Sequence, residues 1–203
     1  KLKSWLINRG ESPTLAEKAI NELVKTAGNL QQGLYKANQE VYSMLKYGAK
    51  VHEEPGESDK TVYLIDWENP QNNEFGIAEE VTIKTAAKRR PDIVIYINGI
   101  AIAIIELKKS TVSVSAGIRQ NLSNQSEHFN KPFYTTIQFL MAGNSSEGLR
   151  YGTIETKEKY YLEWKNDQVD TAAQPQDENS INILEKCKQL PEKLDWQLYS
   201  MFQ

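Results

Sequence analysis

Pro91-Asp92-Ile93-Val94-Ile95-Tyr96-Ile97-Asn98-Gly99-Ile100-Ala101-Ile102-Ala103-Ile104-Ile105-Glu106-Leu107-Lys108 decides how this chain folds. It reads as two apolar strands joined at Asn98-Gly99, a pair that favours a tight turn. So apolar a hairpin is expected to be buried on both faces. Charged groups interrupt it only at its open end: Asp92, Glu106 and Lys108. A charge in such surroundings must be paired or must hold a metal.

The loop length sets which of these groups meet. A two-residue Asn98-Gly99 turn faces Ile97 with Ile100 and sets Asp92 and Glu106 on opposite sides, because strand side chains alternate. A three-residue loop, Ile97-Asn98-Gly99 with Gly99 left-handed, faces Tyr96 with Ile100 instead. Asp92, Glu106 and Lys108 then share a face, with the carboxylate Cβ atoms about 7 Å apart or less. The sequence reading expects this second arrangement. Asp92 and Glu106 would hold one Mg²⁺, or Mn²⁺, with the carbonyl of Leu107 as a third oxygen ligand. Lys108 would orient water or stabilise charge growing on phosphate oxygens. Two carboxylates and a lysine are what metal-assisted phosphodiester hydrolysis requires.

The bulk properties are compatible with this chemistry. The 203 residues suit one domain, expected to span 1–203. The single cysteine, Cys187, excludes an internal disulfide framework and fits a reducing cytoplasm. No apolar run is long enough for a membrane span, and the first residues do not read as a signal peptide. The net charge of −3 argues against a non-specific nucleic-acid binder. Local basic runs flank the hairpin's open end, however: Lys84, Lys88, Arg89 and Arg90 before it, and Lys108, Lys109 and Arg119 after it. They are candidates for phosphate contact. His52 and His128 lie far apart and read as structural or surface residues.

Around the hairpin the pattern alternates between elements. Ser12-Pro13 opens a helix over 12–27, and a second helix runs from Leu34 to Tyr47 with Gly48 at its end. Thr61–Trp67 and Phe75–Lys84 read as strands. Val114–His128 reads as a helix and Phe133–Ala142 as a strand. Arg150–Thr156 and Tyr160–Trp164 follow as short strands. Residues 166–180 read as a polar surface loop or linker, and 181–203 as a helix broken or kinked at Pro191. The expected class is α/β, a mixed β-sheet flanked by helices.

Pro91-Asp92 followed by Glu106-Leu107-Lys108 resembles the PD-(D/E)xK nuclease motif. Longer stretches resemble the N-terminal nuclease domain of the type I restriction enzyme R subunit: Thr61–Pro70, Glu79–Thr82, Arg90–Ser110, Gly117–Gln125 and Gly148–Thr156. The resemblance implies a restriction-endonuclease-like fold with a nuclease core over about 34–142. It implies magnesium-dependent cleavage of double-stranded DNA by Asp92, Glu106 and Lys108. It adds Glu40, on the helix before the sheet, and Gln120, on the helix after it, to the catalytic set. Asn124 stands where that family carries tyrosine, four residues after Gln120 on the same helix face. Arg119, Asn124, Lys109 and Arg90 are the DNA-binding candidates, with Arg150 and Thr153 weaker ones.

The resemblance also implies methyltransferase and specificity subunits as partners, and an ATP-driven motor after the nuclease. The chain contains no Gly-x-x-x-x-Gly-Lys-Ser/Thr phosphate loop. ATP is therefore expected to serve only the full-length subunit, with 181–203 leading into the motor. A docking module of the same fold without catalysis, and a stand-alone repair nuclease, are the other readings.

Overall fold

The structure, a computed structural model, describes residues 1–54, 56–82, 90–126, 131–164 and 192–201. It forms two compact units. One comprises Lys1–Ile104, Asn124–Phe139 and Thr153–Glu155; the other comprises Ile105–Ser123, Leu140–Gly152 and Thr156–Gln203. A six-stranded mixed sheet flanked by helices has its strands side by side in chain order, as the α/β reading expects.

In the first unit, α1 (Leu2–Asn8), α2 (Pro13–Gly28) and α3 (Leu34–Tyr47) precede a small antiparallel pair, β1 (Ala49–Val51) and β2 (Lys60–Val62). The start of α2 follows its sequence signals: Pro13 lies in the first turn, and Ser12 Oγ accepts from the Leu15 N–H at 3.2 Å. Leu15, Ala19 and Leu23 of α2 and Val41 and Leu45 of α3 line a core that also takes in Val62, Ile100 and Ile102. Trp5 and Leu6 of α1, a helix the sequence reading missed, join that core.

The strand expected over Thr61–Trp67 is shorter. Regular pairing ends at Val62, and the chain turns through a polar loop centred on Asp66. Asp66 Oδ2 accepts from the Asn72 amide at 2.9 Å, and Oδ1 from the Asn69 N–H at 3.0 Å. Arg9 pairs with the same carboxylate. The Asn72 and Asn69 hydrogen bonds, reinforced by Arg9, hold the Asp66 carboxyl down to about 2. Side chains take the place of a ladder partner here: the Asp66 N–H donates to Asn73 Oδ1 and Leu64 O accepts from the Asn98 amide, both at 2.9 Å.

β3 (Phe75–Glu79) pairs antiparallel with β4 (Ile93–Ile97), with Ile77 opposite Ile95. β5 (Ile100–Leu107) follows after only two residues, Asn98 and Gly99, with φ of 53° and 87°. Two successive left-handed residues define a type I′ turn, whose twist suits adjoining strands. The expected three-residue loop is thus corrected. Asn98 tolerates the left-handed conformation and is fully buried. Its amide donates to Leu64 O and Asn73 Oδ1, both at 2.9 Å, and its Oδ1 accepts from the Glu74 N–H at 2.8 Å. These bonds fix the turn. β5 is buried from Ile100 to Glu106, as expected, whereas in β4 only Val94 is buried. β3, the outer strand beside β4, leaves Phe75 and Ile77 exposed.

The strand expected over Phe133–Ala142 begins later. Lys131–Thr135 is a 3-10 turn, and β6 spans Phe139–Asn144. Asn38 of α3 explains the delay: its amide reaches the carbonyls of Thr135 at 3.0 Å and Ile137 at 2.7 Å, replacing ladder partners.

The second unit contains the end of β5, α4 (Val114–Asn124) up to Ser123, and β6 from Leu140. It continues with β7 (Gly148–Gly152), β8 (Leu162–Glu163) and α5 (Lys193–Met201). Gln197 ties α5 down, accepting from the Leu149 N–H at 2.7 Å and donating to Trp164 O. The expected loop at 166–180, Cys187, His128, and the basic residues Lys84, Lys88 and Arg89 lie outside the described residues, as does 181–191 of the expected helix.

Candidate active site

β5 carries one charged residue into the interior. Glu106 is its seventh residue and is completely buried, although an unpaired carboxylate there would be strongly disfavoured. Its Oε2 accepts from the Gln120 amide at 2.7 Å and lies 3.6 Å from Lys108 Nζ. Lys108 Nζ in turn donates to Gln120 Oε1 at 2.9 Å. Gln120 therefore closes a ring, with its NH2 on the carboxylate and its C=O on the ammonium. Both orientations match the charges, so the ring fixes the amide's rotamer and restrains a lysine that would otherwise be free to rotate.

The surrounding elements hold this ring. The Lys108 N–H donates to Gly143 O at 2.9 Å, carrying the backbone pairing beyond Leu107. Glu147 accepts from the Val114 N–H at 3.1 Å at the start of α4. A carboxylate there also complements the helix dipole. One residue after Gln120, the buried Asn121 donates to Met141 O at 2.9 Å. Neither Glu147 nor Asn121 was singled out from the sequence. A polar residue beside Gln120 on an amphipathic helix was the available signal for Asn121.

The other expected site residues are placed less uniformly. Asp92 is half-buried at a bend directly before β4, where its carbonyl accepts from the Glu80 N–H at 2.9 Å. With a two-residue turn, strand alternation no longer brings Asp92 into phase with Glu106. The loop-length argument for one shared face therefore fails. Asp92 also lies outside the regular strand, so strand alternation does not set its direction. Glu40 is half-buried on α3 and lies 4.0 Å from Lys36, a turn earlier. Leu107, whose carbonyl was the third expected ligand, is the last residue of β5 and is exposed.

Among the phosphate-contact candidates, Lys109, Arg90 and Arg119 are exposed. Arg90 pairs with Glu80 at 3.1 Å and Arg119 with Glu158 at 2.9 Å. Arg150 pairs with Glu163 at 3.3 Å, and Thr153 is exposed. Asn124 is corrected: it is only 2% exposed and presents no surface to a duplex. His52 is exposed beside Asp59, as a surface residue should be.

No group of three or more His, Cys, Asp or Glu able to hold a metal occurs among the described residues. That count does not conflict with magnesium. Mg²⁺ keeps several waters and is commonly bound through one or two carboxylates together with substrate phosphates. The buried Glu106 carboxylate, whose Oε2 takes both the Gln120 amide and the Lys108 ammonium, is a hard oxygen donor of the required kind.

A mixed sheet flanked by helices, bearing Glu-x-Lys where a buried strand ends, is restriction-endonuclease-like. Residues 4–159 match the family described as Type I restriction enzyme R protein N terminus, and the chain belongs to that family. It is 30% identical over 161 residues to the type I restriction enzyme HindI endonuclease subunit of Haemophilus influenzae, covering 76% of this chain and 15% of that protein. It is 28% identical over 166 residues to a protein of Methanocaldococcus jannaschii named as a type I restriction enzyme MjaIXP endonuclease subunit, covering 78% of this chain and 16% of that protein. The chain thus spans under a fifth of the length of either relative. No helix among the described residues is long and apolar enough to cross a membrane.

Proposed function

We propose that this chain is the endonuclease domain of a type I restriction enzyme and hydrolyses phosphodiester bonds of double-stranded DNA with magnesium or manganese. The observation that carries the reading is the buried Glu106, joined to Lys108 both directly and through Gln120. A surface salt bridge has no need of such burial, whereas a reacting centre gains from it, because charges in a low-dielectric site act more strongly.

Glu106, Asp92 and the carbonyl of Leu107 are the proposed metal ligands. A bound divalent ion would polarise the scissile phosphate and lower the pKa of its water. Lys108 places a positive charge where negative charge grows on phosphate oxygens, and Gln120 keeps that ammonium aimed. Glu40 is proposed as a further carboxylate of the site. Arg90, Lys109 and Arg119 meet the DNA backbone and position it without reading sequence. The methyltransferase and specificity subunits, and an ATP-driven motor elsewhere in the full-length protein, complete the enzyme in this reading. A cytoplasmic location goes with it.

Calorimetric titration with Mn²⁺ tests the proposal on the wild type, Asp92→Ala and Glu106→Gln. Binding by the wild type that is lost in both variants is the expected result. A folded wild type that binds no Mn²⁺, with or without a DNA duplex present, would reject the metal site and with it the nuclease.

A further inference from the structure

We infer that Gly117 is a positioning residue for Glu106, Gln120 and Lys108, setting how closely α4 approaches β5 and β6. The consequence for metal binding rests on the function proposed above, while the geometry does not. Gly117 is the fourth residue of α4, and its backbone lies outside the left-handed region. Its backbone conformation therefore gives no reason for glycine, and inside a helix glycine is less favourable than alanine.

Space gives the reason. A Cβ at this position would lie 3.0 Å from the Ala142 Cβ, 3.5 Å from Lys108 Cγ and 3.6 Å from Glu106 Cβ. The first of these is tighter than ordinary van der Waals contact; the other two touch the stems of the very side chains that Gln120 joins. Gly117 and Gln120 are three residues apart and share one helix face. A methyl group at 117 pushes that face away from the strands, and a hydrogen bond of 2.7 Å between Gln120 and Glu106 has little tolerance for such a shift. Ala142 is fully buried on β6, beside Gly143, which takes the Lys108 N–H. The missing methyl of the helix is thus matched by a methyl on the strand.

That match provides the test. Four full-length chains are compared: wild type, Gly117→Ala, Ala142→Gly, and the double variant in which the methyl has moved from strand to helix. Side-chain amide NMR of Gln120, assigned by its loss in Gln120→Ala, reports the ring directly. Gly117→Ala is expected to shift and broaden that signal and to weaken Mn²⁺ binding about tenfold; the double variant should restore both. If Gly117→Ala does not fold, a folded double variant with the wild-type Gln120 signal supports the inference, and a double variant that also fails to fold overturns it. A Gly117→Ala protein that melts earlier but keeps the wild-type Gln120 signal has only a packing defect and overturns the inference. So does a folded double variant in which the signal is not restored. If the wild type binds no Mn²⁺, the proposed function fails, and the amide signal still decides the role of Gly117.

Discussion

Gln120 donates its side-chain amide to Glu106 Oε2 at 2.7 Å, from a helix to a strand fourteen residues earlier in the chain. The bond makes a completely buried carboxylate tolerable. Replacing Gln120 with leucine, close to it in volume, removes the donor and leaves the charge. A hydrogen bond to a charged group contributes about 1.5–3 kcal/mol. Urea unfolding of Gln120→Leu should show a loss in that range. The double variant Gln120→Leu, Glu106→Gln should recover part of it, because the buried charge is then gone. No recovery would mean that the carboxylate is not what Gln120 serves.

Asp66 gives the chain an acid-sensitive loop. Its carboxyl lies at about 2 in the folded protein against an ordinary value of 3.8, held down first by Asn72, then by the Asn69 N–H and Arg9. A depressed carboxyl stabilises the fold above its unfolded value, and that contribution disappears as pH falls through the folded value. Stability from Asp66 is therefore complete above about pH 4 and lost as pH falls towards 2. Asp66→Asn should be less stable than wild type near neutrality, and the gap should narrow on acidification across that window. Unfolding midpoints at a series of pH values measure it; a constant gap would contradict the assignment.

The buried turn residue Asn98 separates conformation from hydrogen bonding. Its side chain makes three hydrogen bonds while its φ is 53°. Asn98→Gly keeps access to that conformation and loses the bonds, at a cost of about 2–3 kcal/mol. Asn98→Ala loses the bonds and also meets the left-handed penalty, a further ~1 kcal/mol. Chemical denaturation of both should rank alanine below glycine. Equal losses would show that the turn relaxes out of its left-handed pair.

The sequence carried the architecture further than it carried the site. Apolar runs, Ser12-Pro13 and the glycines marked α2, α3 and β5, because burial and capping leave local signals. The strands expected over 61–67 and 133–142, both shorter than expected, share one cause. Asn73 and Asn98 in the first case, and Asn38 in the second, hold the backbone through side-chain hydrogen bonds, and Asn38 does so to residues almost a hundred positions away. No window of sequence contains both ends of such a bond. At the site, Glu106 and Lys108 were legible from charge inside an apolar strand. The Gln120 position came from family resemblance rather than from helical spacing. The turn type was ambiguous because Asn-Gly serves both two- and three-residue loops. The close approach at Gly117 left no local mark, since it depends on Ala142 across the fold.

Asn38 sets where β6 begins. It is a buried polar residue on α3 between Ala37 and Val41, and its amide holds the carbonyls of Thr135 and Ile137 in place of strand neighbours. Asn38→Leu keeps the branched shape of the side chain and the apolar face of α3, so an account based on apolar burial alone expects it to be neutral or stabilising. The hydrogen-bond account expects the opposite, because two buried carbonyls lose their donor, at about 1–3 kcal/mol for an unsatisfied group. Asn38→Asp should be at least as damaging, since it offers those carbonyls an acceptor in place of a donor. Hydrogen exchange then locates the effect. The 131–138 stretch should lose protection before α2 does if Asn38 acts locally. Uniform loss across both would show that Asn38 supports the core as a whole.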